Sequence, residues 1–309
     1  MANLANRIAR DLFLPPGDLR SLIQSAPMRY KVYSIPKRNG NGRRIIAQPT
    51  PAVKELQHWA KENILSNFDV HEAATAYKKT ASILKNAAAH KNSRFLLKLD
   101  FENFFNSITS HDLLTFLDRR MADLDDADRQ LLCRILFWRP KGSTELVMSI
   151  GAPSSPMLCN ILLYDFDVLV ATHCAGANIS YTRYADDMTF SCDQPWKLAA
   201  TEQWVTRLVD ETDSPHLRIN KAKTLHASKK SSRRVTGLVL TNDGAVSLGR
   251  ERKRELRAKV HRFLNGGMPE AEAASLRGWL AYVNAVEPSF TARLKGAYGA
   301  ENLARLGVH

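Results

Sequence analysis

Ile179-Ser180-Tyr181-Thr182-Arg183-Tyr184-Ala185-Asp186-Asp187-Met188-Thr189-Phe190-Ser191-Cys192 decides the reading of this chain. Its two arms, 179–184 and 188–192, are strand-like and flank a short acidic step, the pattern of a hairpin. Adjacent carboxylates repel each other, and pinned at a hairpin tip they become favourable once cations sit between them. The plain alternative is a turn, because Asp is a favoured turn residue. Tyr181 and Phe190 weigh against it, since apolar flanks make the tip project from a packed sheet. So does Arg94-Phe95-Leu96-Leu97-Lys98-Leu99-Asp100, which reads as a buried strand ending in an acid 86 residues before Asp186. Laid parallel beside the hairpin, that strand brings Asp100, Asp186 and Asp187 together in a cluster that invites Mg²⁺. Two divalent ions about 3.5–4 Å apart can activate an attacking hydroxyl and neutralise a departing pyrophosphate in one in-line displacement. The constellation is that of a two-metal nucleotidyl transferase.

Composition agrees with such a substrate. The 309 residues are 44% hydrophobic, enough for a substantial core, and carry a formal charge of +13. A sequence pI near 9.7 points to a polyanionic ligand, against the alternative of a merely soluble basic protein. Cys133, Cys159, Cys174 and Cys192 include no CxxC pair, so neither a zinc site nor a disulfide framework is suggested. Arg7, Arg10 and Asp11 interrupt any signal-peptide core at the N-terminus. Asp165 and Asp167 break the longest apolar stretch, 161–175, so no membrane span is expected and the cytoplasm is the default location.

Along the chain, 1–27 reads as short helices, and 30–35 and 43–47 as a basic hairpin around Lys37-Arg38-Asn39-Gly40-Asn41-Gly42. Helical patterns follow at 52–66, from a Thr109/Asp112 capping box, at 128–139, from the 151–156 turn to about 170, and at 197–211. Leu217-Arg218-Ile219 and the pair 235–240 and 245–248 read as strands. From Arg250 the pattern is helical and basic, with seven Lys/Arg in 250–262. Strands interspersed with helices argue an α+β fold around an antiparallel sheet.

Leu99-Asp100 through Phe105, Gly151-Ala152-Pro153-Ser154-Ser155-Pro156 and Tyr184-Ala185-Asp186-Asp187 resemble motifs A, B and C of reverse transcriptases. Asn86-Ala87-Ala88-Ala89-His90, Val235-Thr236-Gly237 and Arg277-Gly278-Trp279-Leu280 resemble segments of the bacterial retron subgroup. The resemblance implies a right-hand polymerase fold: fingers with N-terminal helices over 1–93, palm over 94–109, connecting helices over 110–148, palm again over 149–240, and a helical thumb over 241–309. It implies two Mg²⁺ ions held by Asp100, Asp186, Asp187 and the backbone of Phe101. Arg44 matches a residue that clamps the incoming triphosphate, and a guanidinium holds phosphate oxygens bidentately. Lys37 and Arg38 are possible helpers, or a solvated hairpin tip.

Phe105 matches a steric gate against the ribose 2′-OH, with simple packing as the other reading. Lys223 matches the lysine thought to protonate pyrophosphate. Gly151, Ala152 and Pro153 are expected against the template and the nucleotide base. Ile150 departs from the family, where Gln is common, and Asp167 reads as structural. RNA contact is expected from Asn86, His90, Val235, Thr236 and Gly237, and from Arg250, Arg254 and Arg257 along a phosphate backbone. An ordinary helix end, a bulged strand and a solvated helix face are the respective alternatives.

A retron-type enzyme is expected to use dNTPs and a cognate structured non-coding RNA. It starts from an internal guanosine 2′-OH, gives a branched RNA–DNA product (msDNA), and takes part in anti-phage defence with an effector protein. Group II intron or diversity-generating reverse transcriptases, or a catalytically idle RNA-binding scaffold, are the alternatives.

Overall fold

The computed structural model describes residues 4–37, 42–78 and 82–308. Helices α1 (Leu4–Asp11) and α2 (Pro16–Ser25) open the chain, with Pro16 where its fixed φ suits a first helical turn. Strands β1 (Tyr30–Pro36) and β2 (Arg43–Pro49) form the expected hairpin, in register from Tyr30↔Pro49 to Pro36↔Arg43. Arg38 and the turn residues Asn39, Gly40 and Asn41 lie outside the described residues. Helix α3 (Pro51–Asn63) buries Val53, Leu56, Trp59 and Ala60 and ends short of the expected 66. Helix α4 (Ile83–Ala88) starts at Ser82, whose hydroxyl accepts from the Leu84 and Lys85 amides.

Strand β3 (Phe95–Asp100) follows, then α5 (Phe104–Ser107) and α6 (Ser110–Arg120), which begins with the anticipated Thr109/Asp112 capping box. Helix α7 (Asp126–Leu136) starts two residues before the expected 128, because the Asp125 carboxylate accepts from the Asp128 amide at 2.7 Å. The helix expected from the 151–156 turn breaks at Leu163 into α8 (Ser155–Leu162) and α9 (Tyr164–Gly176), bent by 54°. No single helix among the described residues is long and apolar enough to cross a membrane.

Strands β4 (Ser180–Tyr184) and β5 (Asp187–Cys192), helix α10 (Pro195–Glu211) and strand β6 (Leu225–Ser228) complete the main sheet. Its order is β4-β5-β3-β6, and every pairing is antiparallel. The parallel placement of the Asp100 strand is thereby corrected. Asp100 ends β3 and Asp187 begins β5, so antiparallel register is what sets them opposite each other. Leu217-Arg218-Ile219 forms no strand of its own and contributes a bridge between Ile219 and Phe101.

A second sheet, β7 (Arg233–Val235), β8 (Leu238–Leu240) and β9 (Val246–Ser247), leads to α11 (Arg250–Leu264), α12 (Glu270–Val286), α13 (Pro288–Tyr298) and α14 (Ala300–Ala304). Two large hydrophobic clusters result. One joins the N-terminal helices and α6–α10 to Leu97 and Leu99 of β3. The other joins β7–β9 and α11–α14 to Leu96, on the opposite face of the same strand, and to Ala87 of α4. Burial on both faces explains why β3 reads as a nearly unbroken apolar run, each buried Leu contributing on the order of 2 kcal/mol.

Candidate active site

The ends of β3 and β5 are sewn together by their backbones. Asp100 pairs with Asp187, and the Phe101 amide donates to the Asp186 carbonyl at 3.2 Å. On the other side the Asn220 amide donates to the Asp100 carbonyl at 2.7 Å. Ala185 and Asp186 make the two-residue link between Tyr184 and Asp187, and Ala185 adopts φ +57°. A left-handed residue other than glycine costs on the order of 1 kcal/mol, so its surroundings must hold it there.

They do so through a buried ion pair. Arg183 and Asp167 are both fully buried, with Nε–Oδ1 at 2.9 Å and Nη2–Oδ2 at 2.6 Å. Arg183 Nη1 donates to the Ala185 carbonyl at 3.0 Å and to Asn160 Oδ1 at 3.2 Å, while the Tyr181 hydroxyl donates to Asp167 Oδ1 at 2.8 Å. One guanidinium therefore props the acidic turn from below. The Arg183 backbone also bonds the 73–75 segment, with amide to Ala73 carbonyl and carbonyl to Thr75 amide both at 2.7 Å. Sequence reading placed Asp167 as structural but passed over Arg183; a charge facing an Asp 16 residues away across two apolar segments was the available signal.

Burial, then the neighbouring Asp100 charge, pushes the Asp186 carboxyl above the usual carboxylate range. Burial raises Asp187 as well, opposed by Lys98. Two lysines offset the clustered negative charge: Lys98 Nζ lies 2.7 Å from Asp187 Oδ2, and Lys223 Nζ lies 2.7 Å from Asp100 Oδ1. Among the described residues no three His, Cys, Asp or Glu side chains form a ready-made cation cage. The donor chemistry nonetheless fits a hard divalent cation: carboxylate oxygens that share a desolvated site and are already drawing in positive charge.

A cleft of about 980 Å³ opens over Asp186 and gathers Arg44, Phe105, Gly151, Ala152, Pro153 and Lys223 at its walls. Arg43 is occupied by Ser34, through Nε–Oγ at 2.7 Å, whereas Arg44 makes no ion pair among the described residues. Lys37 lines the same cleft. Phe105 is half-buried, edge-on to Phe104 with centroids 5.3 Å apart, so it both packs and faces the cleft. Gly151 has φ +121°, and a Cβ there would come within 3.2 Å of Ile46 and 3.3 Å of the Ala47 carbonyl. Close approach to β2 is thus the structural reason for this glycine, and the Ile150 carbonyl is tied to the Ala47 amide at 3.0 Å. The buried hydroxyls of Ser149 and Ser155, also on the cleft wall, have no hydrogen-bond partner among the described residues. Tyr77, which sequence reading missed, lines the cleft with φ +64° and a ring 6.4 Å from that of Tyr184.

The expectation that Asn86 and His90 contact RNA is corrected. Both are buried, and their side chains are consumed inside the protein. His90 bonds Ser191 Oγ at 2.8 Å and Thr182 Oγ1 at 2.7 Å, and Thr182 donates to Asn86 Oδ1 at 2.6 Å. They fasten α4 to the back of the acidic hairpin. Val235 is buried too, which removes its side chain from any RNA surface, whereas Thr236 and Gly237 form the tight β7–β8 turn. Arg250, Arg254 and Arg257 are exposed on α11.

Residues 35–240 match the family described as reverse transcriptase (RNA-dependent DNA polymerase). The chain is 41% identical over 289 residues to the retron Ec83 reverse transcriptase of Escherichia coli, covering 93% of this chain and 92% of that protein. It is 32% identical over 277 residues to the retron Ec86 reverse transcriptase of the same organism, covering 89% and 82%. A telomerase from Candida albicans, solved in complex with a TWJ fragment of telomeric RNA, superposes with a TM-score of 0.50 at 14% identity, over 77% of this chain and 50% of that one. That likeness shows the right-hand polymerase fold. With an acidic hairpin, a facing acid and an open cleft on that fold, the chain belongs to the reverse transcriptases, RNA-directed DNA polymerases, and among them to the retron reverse transcriptases of bacteria.

Proposed function

We propose that this enzyme copies part of a cognate structured RNA into single-stranded DNA, starting from the 2′-OH of an internal guanosine, so that RNA and DNA remain joined as msDNA. The pairing of Asp100 with Asp187, next to the Asp186 that lines the cleft, is the observation that carries the reading. Asp100 and Asp186, with Asp187 and the Phe101 backbone in support, would hold two Mg²⁺ ions, which when bound supply Lewis acidity and activation of the attacking hydroxyl. The protein's own groups do the rest. Arg44 grips the triphosphate of a dNTP, Phe105 crowds a ribose 2′-OH, and Gly151-Ala152-Pro153 backs the base. Lys223, whose Nζ lies at Asp100 on the cleft wall, donates a proton to pyrophosphate.

The exposed arginines of α11 track RNA phosphates. Fingers over 1–93, palm over 94–109 and 149–240, connecting helices over 110–148 and thumb over 241–309 are the proposed divisions. The shared cluster of β7–β9 with α11–α14 favours moving that small sheet to the thumb. We assign the complex to the cytoplasm and to anti-phage defence, alongside an effector protein from the same locus.

The test is dNTP incorporation without added primer, on RNA that co-purifies with the chain, in the presence of Mg²⁺. Wild type should incorporate and leave a branched, covalent RNA–DNA species; Asp186→Asn with Asp187→Asn should not. Equal incorporation by both proteins removes the assigned site.

A further inference from the structure

The sheet face that carries Asp187 continues behind it as a buried polar patch. Register sets rows across β3, β5 and β4: Asp100 and Asp187 at the tip, then Lys98, Thr189 and Thr182, then Ser191. Side chains opposite one another in paired strands share a face, so all six point the same way. His90 lies across the second and third rows, bonding Thr182 and Ser191, and Lys98 in the second row bonds Asp187 in the first. The Arg183–Asp167 pair grips the hairpin from the opposite face, because Thr182 and Arg183 alternate along β4.

The hydrogen bonds of this patch run in one direction. Thr182 gives its single hydroxyl proton to Asn86 Oδ1, so toward His90 it can only accept. The ring proton of His90 therefore sits on Nε2, and Nδ1 accepts from the Ser191 hydroxyl. Run from Ser191 through His90 and Thr182 to Asn86, the chain gives each of these protons one acceptor, and all four side chains are buried. Apolar side chains of similar shape would fill the same space at less desolvation cost. They would also tolerate small shifts of the hairpin that directional bonds do not. The far end of the chain is fixed in turn. Asn86 belongs to α4, which packs on β7, β8 and β9, and the Ile83 carbonyl accepts from the Thr236 hydroxyl at 3.4 Å.

We propose that Asn86, His90, Thr182 and Ser191 are positioning residues for nucleotidyl transfer: their hydrogen-bond chain sets where the hairpin stands against α4, and with it the placement of Asp186 and Asp187 relative to Asp100. The proposal rests on the reading above that these three acids form the reacting centre. Three variants test it. Thr182→Val keeps the shape and breaks the chain at its middle, and Thr182→Ser keeps the hydroxyl. The apolar set Asn86→Leu, His90→Leu, Thr182→Val and Ser191→Ala, made together, removes the chain without leaving one of its members unpaired. Each is assayed cold on oligo(dT)-primed poly(rA), with the folded fraction counted from urea melts and Mn²⁺ binding measured without nucleic acid. Thr182→Val should lose kcat on the order of ten- to hundredfold per folded molecule, the penalty of a displacement of about 1 Å at a reacting centre. Its KM for dTTP should stay within about threefold, because Arg44 and Gly151 stand on other elements of the cleft wall. Its affinity for Mn²⁺ should fall by about threefold or more. Thr182→Ser should recover the wild-type kcat, and the apolar set should recover the wild-type urea midpoint without recovering kcat. Wild-type kcat per folded molecule in Thr182→Val or in the apolar set makes the chain a matter of stability alone and overturns the proposal, as does unchanged Mn²⁺ affinity in Thr182→Val. Asp186→Asn with Asp187→Asn, run beside them, separates the two readings: activity retained there means that the reacting centre itself is misassigned.

Discussion

Replacing Asp167 by Asn tests how the acidic turn is held. The substitution keeps the shape of the side chain and removes its charge, which leaves the Arg183 guanidinium fully buried without a counter-ion. Breaking a buried pair from one side costs about 3–5 kcal/mol, against a total stability of typically 5–15 kcal/mol. Arg183→Met alone should cost a similar amount, because it strands the Asp167 carboxylate and frees the Ala185 carbonyl. The double variant has no lone buried charge, so the two effects should fall short of additivity by at least about 2 kcal/mol. Urea unfolding of the four proteins measures this coupling. Nucleotide incorporation on primed poly(rA), assayed cold so that all four are folded, should drop in every protein carrying Arg183→Met, since the Arg183 guanidinium bonds the carbonyl of the left-handed Ala185. A loss below about 1 kcal/mol in Asp167→Asn, or additive effects in the double variant, refutes the account.

Other expectations concern positions farther out. Burial holds the His90 imidazole down to about pKa 3, against 6.5 for the free group. The unfolded chain therefore protonates first, and stability present above pH 6.5 falls by about 1.4 kcal/mol per pH unit as pH drops toward 3. His90→Gln removes that slope, so the wild type's advantage in urea should shrink by about 2 kcal/mol between pH 7 and pH 5; a constant gap contradicts the burial argument. Thr236→Asn should raise the unfolding free energy by about 0.5–1 kcal/mol by relieving a β-branched residue at positive φ, and a lower melting temperature would count against the strain. Phe105→Ala should admit ribonucleotides, read as rNTP against dNTP incorporation on one template; unchanged discrimination reassigns the ring to packing beside Phe104.

Local chemistry announced the acidic hairpin. Period-two apolar arms and twin acids are visible within 14 residues, and β3 carried its own terminal acid. Strand direction was not visible, because alternation says which face a residue occupies and nothing about the neighbour's polarity. β6 also escaped notice, since Leu225-His226-Ala227-Ser228 lies against a basic stretch and only pairing with β3 makes it a strand. Asn86 and His90 show the limit of transferring a role by resemblance. The family match alone pointed them to RNA, whereas the fold spends their polar groups on Thr182 and Ser191. The place of Tyr77 in the cleft wall depends on segments that converge from distant parts of the chain, and no local pattern could announce it.

Strand β3 is a party wall between two rooms: Leu97 and Leu99 close one hydrophobic cluster and Leu96 closes the other. Neither half can melt without stripping the other of a side, so heat should dismantle both in a single step rather than two. The strand that presents Asp100 then yields together with everything around it, and the reacting centre keeps its alignment for as long as the molecule stays native.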